Sequence, residues 1–212
     1  MSSIRVDIVS DVVCPWCIVG LRQLQKAVDT TGIDIDVHWH PFELNPQMPD
    51  AGQNLQEHIC EKYGTTIQQS NENRQRLTTI GADLGISFQF GEQSRMANTF
   101  KAHQLLHWAN LQGQEHAMKM ALFSAYFTEQ LDINDSEVLL TVVESIGLDK
   151  EEAKAVLDDG RHQADVREEQ QSWTSRGVTG VPAMVFNEKY LVTGAQGAES
   201  YSQILTKIVS ES

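Results

Sequence analysis

Chemistry in this 212-residue sequence starts with two cysteines two residues apart, in the run Cys14-Pro15-Trp16-Cys17. Such a pair can cycle between dithiol and disulfide: one thiolate attacks a substrate disulfide, and the other resolves the mixed disulfide that results. Half of a zinc site and an incidental pair are the competing readings. A zinc site needs further ligands, yet the third cysteine, Cys60, stands alone and no other C-x-x-C or H-x-x-H follows. Three cysteines also cannot build the even, dense disulfide framework of small secreted domains.

Position gives the pair its meaning. Ile4, Val6 and Ile8 alternate with Arg5 and Asp7 and lead into Val12-Val13, which predicts a strand ending just before Cys14. Ile18, Leu21, Leu24, Ala27 and Val28 then recur at helical spacing, and Gly32 supplies the stop. Cys14 therefore falls at a strand-to-helix junction, where unpaired backbone N–H groups and the helix dipole favour thiolate over thiol. Pro15 suits the first turn because its missing N–H needs no partner there. These roles follow: Cys14 attacks and Cys17 resolves, with Pro15 and Trp16 presented to the substrate.

A second element lies far along the chain, in Gly180-Val181-Pro182-Ala183. A proline entering a strand belongs at its start, and a cis Val181–Pro182 peptide accounts for the placement. The backbone of Val181 can then pair with an incoming peptide as a short strand. Alone, Pro182 reads as an ordinary loop proline. Opposite a strand–dithiol–helix junction it reads as part of the active site.

The elements that must hold these residues follow from the pattern. Ile33 to Trp39 alternates at period two, so a strand, a helix and a second strand form a parallel βαβ unit. After Pro41 come helical patterns over 55–63, 66–84, 94–111, 114–129, 136–146, 150–158 and 160–176, with no convincing strand among them. Ala183–Phe186, a turn at Asn187-Glu188, and Tyr190–Val192 read as a hairpin before a last amphipathic helix. The expected fold is α/β: a thioredoxin fold formed by residues 1–44 and 174–212, with a large all-helical insertion over 45–173.

Ser10-Asp11-Val12-Val13-Cys14-Pro15-Trp16-Cys17, the central helical block and Gly177-Val178-Thr179-Gly180-Val181-Pro182 together resemble the DsbA-like thioredoxin superfamily, and within it the cytoplasmic FrnE-like branch. The resemblance spans essentially the whole chain. It implies redox activity at Cys14 and Cys17, a cis Pro182, and oxidase or isomerase activity on protein or small-molecule thiols and disulfides. It implies no cofactor beyond the redox-active disulfide, with glutathione open as co-substrate. Where periplasmic DsbA proteins usually carry histidine this sequence has Trp16, which cannot ionise and offers an apolar face instead. A strongly oxidising potential is therefore not expected. A sister branch, the kappa-class glutathione transferases and 2-hydroxychromene-2-carboxylate isomerases, shares the fold and typically has serine where Cys14 stands. An isomerase needs no resolving Cys17. A non-catalytic thioredoxin-like binding module is the third class.

A net charge of −13 and a pI near 4.8 exclude a phosphate-backbone binder, which depends on clustered Lys and Arg. No apolar run approaches the roughly 18 residues of a membrane span, and no signal-peptide pattern opens the chain. The expectation is a cytoplasmic protein, monomer or homodimer, with neither nucleic-acid nor membrane partners. Asp11, close before Cys14, can shuttle the proton that Cys17 must lose or cap the helix. His38 and His40 would share one face of the second strand. His103 and His107, four apart on a helix, could ligate a metal, but Gln104 replaces the glutamate of an H-E-x-x-H motif and packing is the preferred reading. No metal site is expected. Cys60 reads as a half-buried structural thiol, with a third redox cysteine as the alternative.

Overall fold

The computed structural model describes residues 3–211. In chain order its elements are β1 (Ile4–Ser10), α1 (Pro15–Thr31), β2 (Ile35–Pro41), β3 (Gln53–Asn54), α2 (Leu55–Tyr63), α3 (Ile67–Asp83), β4 (Arg95–Met96), α4 (Phe100–Leu111), α5 (Glu115–Phe123), α6 (Ser136–Ser145), α7 (Lys150–Asp159), α8 (Gln163–Ser175), β5 (Ala183–Phe186), β6 (Tyr190–Thr193) and α9 (Ala198–Ser210). The chain divides into two compact units, Met1–Leu44 with Glu169–Ser212, and Asn45–Glu168.

The first unit is built on a four-stranded sheet of order β2-β1-β5-β6. β1 pairs in parallel with β2 and antiparallel with β5, and β5 pairs antiparallel with β6. As a central strand β1 is buried on both faces from Val6 to Ser10. Its alternation sorts the layers. Val9 and Ala183 pack with Trp173 of α8 and with Val178, while Met184 and Pro182 lie beside Gly20 of α1. α1 packs against α9. Gly32 closes α1 at φ 67°, a left-handed position that costs glycine least. Asn187 and Glu188 turn the hairpin at φ 48° and 57°, the handedness that matches strand twist. Asn187 also trades bonds with Arg5: its N–H donates to the Arg5 carbonyl at 2.9 Å, and its Oδ1 accepts the Arg5 N–H at 3.1 Å.

The second unit is helical apart from one feature. β3 and β4, two residues each, pair antiparallel (Gln53 with Met96, Asn54 with Arg95), where the sequence showed no strand. Two residues are too short to display a period, so the pattern could not reveal them. The pairing also shortens the helix expected over 94–111, which begins at Phe100. The helix expected over 114–129 ends at Phe123 and continues as a π-turn over Ser124–Thr128, inside which Ala125 and Phe127 are buried. Caps hold two starts where the sequence placed them, Asp135 accepting the Glu137 N–H at 2.8 Å and Asp149 the Glu152 N–H at 2.9 Å. The helix expected from 160 instead begins at Gln163, after the left-handed Gly160 has ended α7. Leu105, Trp108, Leu122, Phe123, Leu139 and Val143 are among the core residues.

Candidate active site

The loop after β1 and the first turn of α1 place the two thiols. Cys14 is the N-cap of α1, in extended backbone at φ −90° and ψ 110°, and Pro15 is the first helical residue. The Cys14 N–H donates to the Asp11 carbonyl at 3.2 Å, and the Cys17 N–H donates to the Cys14 carbonyl at 3.0 Å. This tight turn holds both sulfurs at the helix start. Cys14 and Cys17 are buried, at 4% and 0% exposure, whereas Trp16 between them is 37% exposed. The motif thus shows an indole to the outside and keeps its thiols beneath.

The turn predicted from the sequence meets the thiols. The Val181–Pro182 peptide is cis, and the Cys14 thiol donates to the Val181 carbonyl at 3.6 Å. Two further bonds brace the turn from behind. The Gly194 N–H donates to the Pro182 carbonyl at 2.7 Å, and the Tyr201 hydroxyl donates to the Gly194 carbonyl at 3.1 Å. Tyr201 is fully buried, and burial pushes its hydroxyl up to about 12, so it stays a neutral donor. Gly20 permits the close approach of α1: a Cβ there would stand 3.2 Å from Met184 Cε and 3.4 Å from Pro182 Cγ. Tyr201 and Gly20 carry no local motif. Only their places after the hairpin and one turn past the dithiol could have drawn attention to them.

Asp11 is fully buried and its Oδ2 accepts the Leu44 N–H at 2.7 Å. Its carboxylate therefore ties the dithiol loop to the segment after β2, the nearest thing here to the capping alternative. The expected preference for thiolate at Cys14 meets opposition. Contact with the Cys17 side chain, then burial, hold the Cys14 thiol well above its ordinary range. The charge of Asp11 adds to this, and the Cys17 backbone N–H pulls the other way. A helix start favours the anion, but a second sulfur and the loss of water outweigh it.

His40, to which the sequence assigned no role, sits in a charged network. Its Nδ1 lies 2.6 Å from Glu169 and its Nε2 2.8 Å from Asp7, while Arg5 bonds the same Asp7 at 2.7 to 3.1 Å. Its ring also lies 4.6 Å from that of Trp173. Burial disfavours the charged imidazole, but hydrogen bonds to Glu169 and Asp7 outweigh burial and raise its pKa. Burial likewise resists the Asp7 anion, and the bonds from Arg5 and His40 overcome it, lowering that pKa. His38 bonds only to exposed Asp36 among its described contacts. His103 is buried in α4, and Cys60 is half-buried in α2.

A thiol pair at a helix start, facing a cis-proline turn on a β2-β1-β5-β6 sheet, defines a thioredoxin-fold protein. The match to the DsbA-like thioredoxin domain, over residues 5–206, takes this further. The chain belongs to that family, whose members are generally thiol–disulfide oxidoreductases. It is similar to a probable DsbA oxidoreductase from Streptomyces coelicolor, with 32% identity and a TM-score of 0.92 over 99% of this chain and 91% of that one. It is 26% identical to the uncharacterized protein YwbO of Bacillus subtilis over 96% of each chain. The cytosolic disulfide reductase DsbM from Pseudomonas aeruginosa, in a structure with glutathione, shares the fold at 16% identity and a TM-score of 0.65, over 97% of this chain and 99% of that one. Among the described residues no helix is long and apolar enough to cross a membrane.

Proposed function

We propose that the protein exchanges disulfides with protein or small-molecule substrates through Cys14 and Cys17. The observation that carries this reading is the Cys14 thiol held 3.6 Å from the Val181 carbonyl of the cis-proline turn, with Cys17 in the first turn of the helix that Cys14 caps. In the reducing direction, the Cys14 thiolate attacks one sulfur of the substrate disulfide. A new S–S bond forms, the substrate bond breaks, and the leaving thiolate takes up a proton. Cys17 then loses its proton and attacks the Cys14 sulfur. This closes the Cys14–Cys17 disulfide and releases the second substrate thiol. Two electrons pass to the substrate, and oxidation of a dithiol substrate runs the same steps backwards.

The Val181 backbone aligns an extended substrate, and Pro15 and the exposed Trp16 ring give it an apolar seat. Asp11 is the carboxylate for the proton that Cys17 gives up. Glutathione serves as the small thiol that resets the pair, a role supported by the glutathione complex of DsbM. No metal or organic cofactor enters the exchange, and its setting is a reducing cytoplasm.

Turnover of a disulfide substrate by Cys14→Ser and Cys17→Ser variants tests the reading. Cys14→Ser should abolish turnover. Cys17→Ser should stop at a trapped mixed disulfide. Unchanged turnover in Cys17→Ser, with loss in Cys14→Ser, would overturn the dithiol mechanism in favour of single-thiol glutathione chemistry. Absence of a reversible two-electron couple at Cys14–Cys17 would leave a binding module.

A further inference from the structure

We propose that His107, His162 and Asp165 form a binding site for a zinc-class divalent ion. These residues lie in the Asn45–Glu168 unit and take no part in the dithiol chemistry. Among the described residues they are the group of His, Cys, Asp and Glu side chains that converges on one point, with their three ligand atoms all within 4.8 Å of one another.

The chain builds the group from two places. α7 ends at Gly160, in left-handed backbone at φ 62°, and the turn through Arg161 delivers His162 just ahead of α8. The Val166 N–H bonds the His162 carbonyl at 3.1 Å, which starts the helix. His162 and Asp165 are then three residues apart on one face. α4 packs against α7 and brings His107 to the same spot, its ring centroid 4.9 Å from that of His162.

The separations suit a tetrahedral ion. With metal–nitrogen bonds of about 2.0–2.1 Å, ligand atoms of such a site stand about 3.3 Å apart. His162 Nδ1 is 3.2 Å from Asp165 Oδ2, and His107 Nε2 is 3.6 Å from it. Two edges of the tetrahedron are therefore already present, and the third needs a closure of at most about 1.5 Å, from 4.8 Å to that ideal. Two imidazoles and a carboxylate suit zinc and its neighbours better than calcium or magnesium. The histidine side chains are 23% and 13% exposed while Asp165 is 51% exposed, so an ion has an entry path and room for water as fourth ligand. The cations nearest in sequence are engaged elsewhere: Arg161 pairs with Asp159 at 2.6 Å, and Arg167 lies over the Phe100 ring. An ion here would tie α4 to the α7–α8 turn.

The test uses the full-length untagged protein with Cys14 and Cys17 oxidised to the disulfide, so that the dithiol cannot bind metal. Titration with zinc should show one equivalent bound. His107→Ala and His162→Ala should weaken binding by about 100-fold or more, as should Asp165→Asn, which preserves shape; Cys60→Ser should change nothing. Cobalt as a spectroscopic probe should give nitrogen and oxygen ligand-field bands without a thiolate charge-transfer band. Circular dichroism of each variant reports folding independently of metal. No stoichiometric binding, undiminished binding by both histidine variants with native dichroism, or a thiolate band on cobalt would each overturn the assignment.

Discussion

One strand, β1, serves two polar regions with opposite treatment of charge. At its middle, Asp7 joins Arg5, His40 and Glu169, and the shifts there favour ions: Asp7 is pushed down, His40 up. Just beyond its end, Cys14 is pushed the other way, kept neutral by its partner sulfur and by burial. Charges that neutralise each other brace the sheet and α8. Under the proposed dithiol exchange, Cys14 would gain its reactive thiolate when a substrate displaces its neighbour. With the proposed function, the contrast gives stability to the first region and chemistry to the second.

The largest expected effect breaks the second half of that contrast. Since contact with Cys17 is the leading cause of the raised Cys14 thiol, Cys17→Ala should lower the Cys14 pKa. Alkylation of Cys14, followed against pH, should then reach its plateau at lower pH than in the reduced wild-type protein, because only the thiolate reacts. A midpoint that stays put or moves upward would mean that burial alone holds the thiol neutral. The trapped mixed disulfide of the same variant would still form.

A smaller effect tests the first half. Asp7→Asn keeps the shape of the side chain but leaves Arg5 and His40 facing a neutral amide next to Glu169. Removing one member of a buried hydrogen-bonded network costs about 1–3 kcal/mol. At this chain length each kcal/mol lowers Tm by about 2–4 °C. The loss should appear in thermal unfolding, with Cys14 alkylation unchanged. A variant as stable as wild type, or one with altered Cys14 reactivity, would show that the two regions are not separate in role.

These regions were not equally legible. The dithiol could be read because its geometry is local: Cys14-Pro15-Trp16-Cys17 follows an alternating strand and opens a periodic helix, so spacing alone places both sulfurs at one helix start. Pro182 could be read because a proline, lacking an N–H, can enter a strand only where the ladder asks no bond of it. The βαβ start and the closing hairpin were visible in their period-two runs, as were the helices at Asp135 and Asp149 in their capping residues. What escaped was assembled across distance. His40 looked like a strand residue of no account until Glu169, from α8, came to its other nitrogen. His107 was weighed with His103, four residues away, whereas its neighbours in space are His162 and Asp165. The two-residue pairing of β3 with β4 has no period to detect, and the raised Cys14 thiol depends on burial, which spacing along the chain does not reveal.

The smallest effect is a pH profile of stability, and its two limbs have opposite signs. The raised pKa of His40 means that the folded state prefers imidazolium. That contribution is complete below the ordinary histidine value and is lost as pH rises through the raised one. The lowered pKa of Asp7 means that the folded state prefers carboxylate. That contribution is complete above the ordinary aspartate value and is lost as pH falls through the lowered one. Stability from this network is therefore greatest between the two ordinary values and declines on both sides. Thermal unfolding from acid to mildly alkaline pH should show both limbs, and the histidine ring resonance of His40 should titrate above the usual range. Glu169→Gln removes the stronger of the two hydrogen-bonding causes of the histidine shift, so its alkaline limb should move to lower pH, while the acid limb, owed to Asp7 with Arg5 and the protonated His40, stays. If Glu169→Gln instead shifted the acid limb, the Asp7 carboxylate would depend on Glu169 as well as on its own partners Arg5 and His40, and the two limbs would not have separate causes.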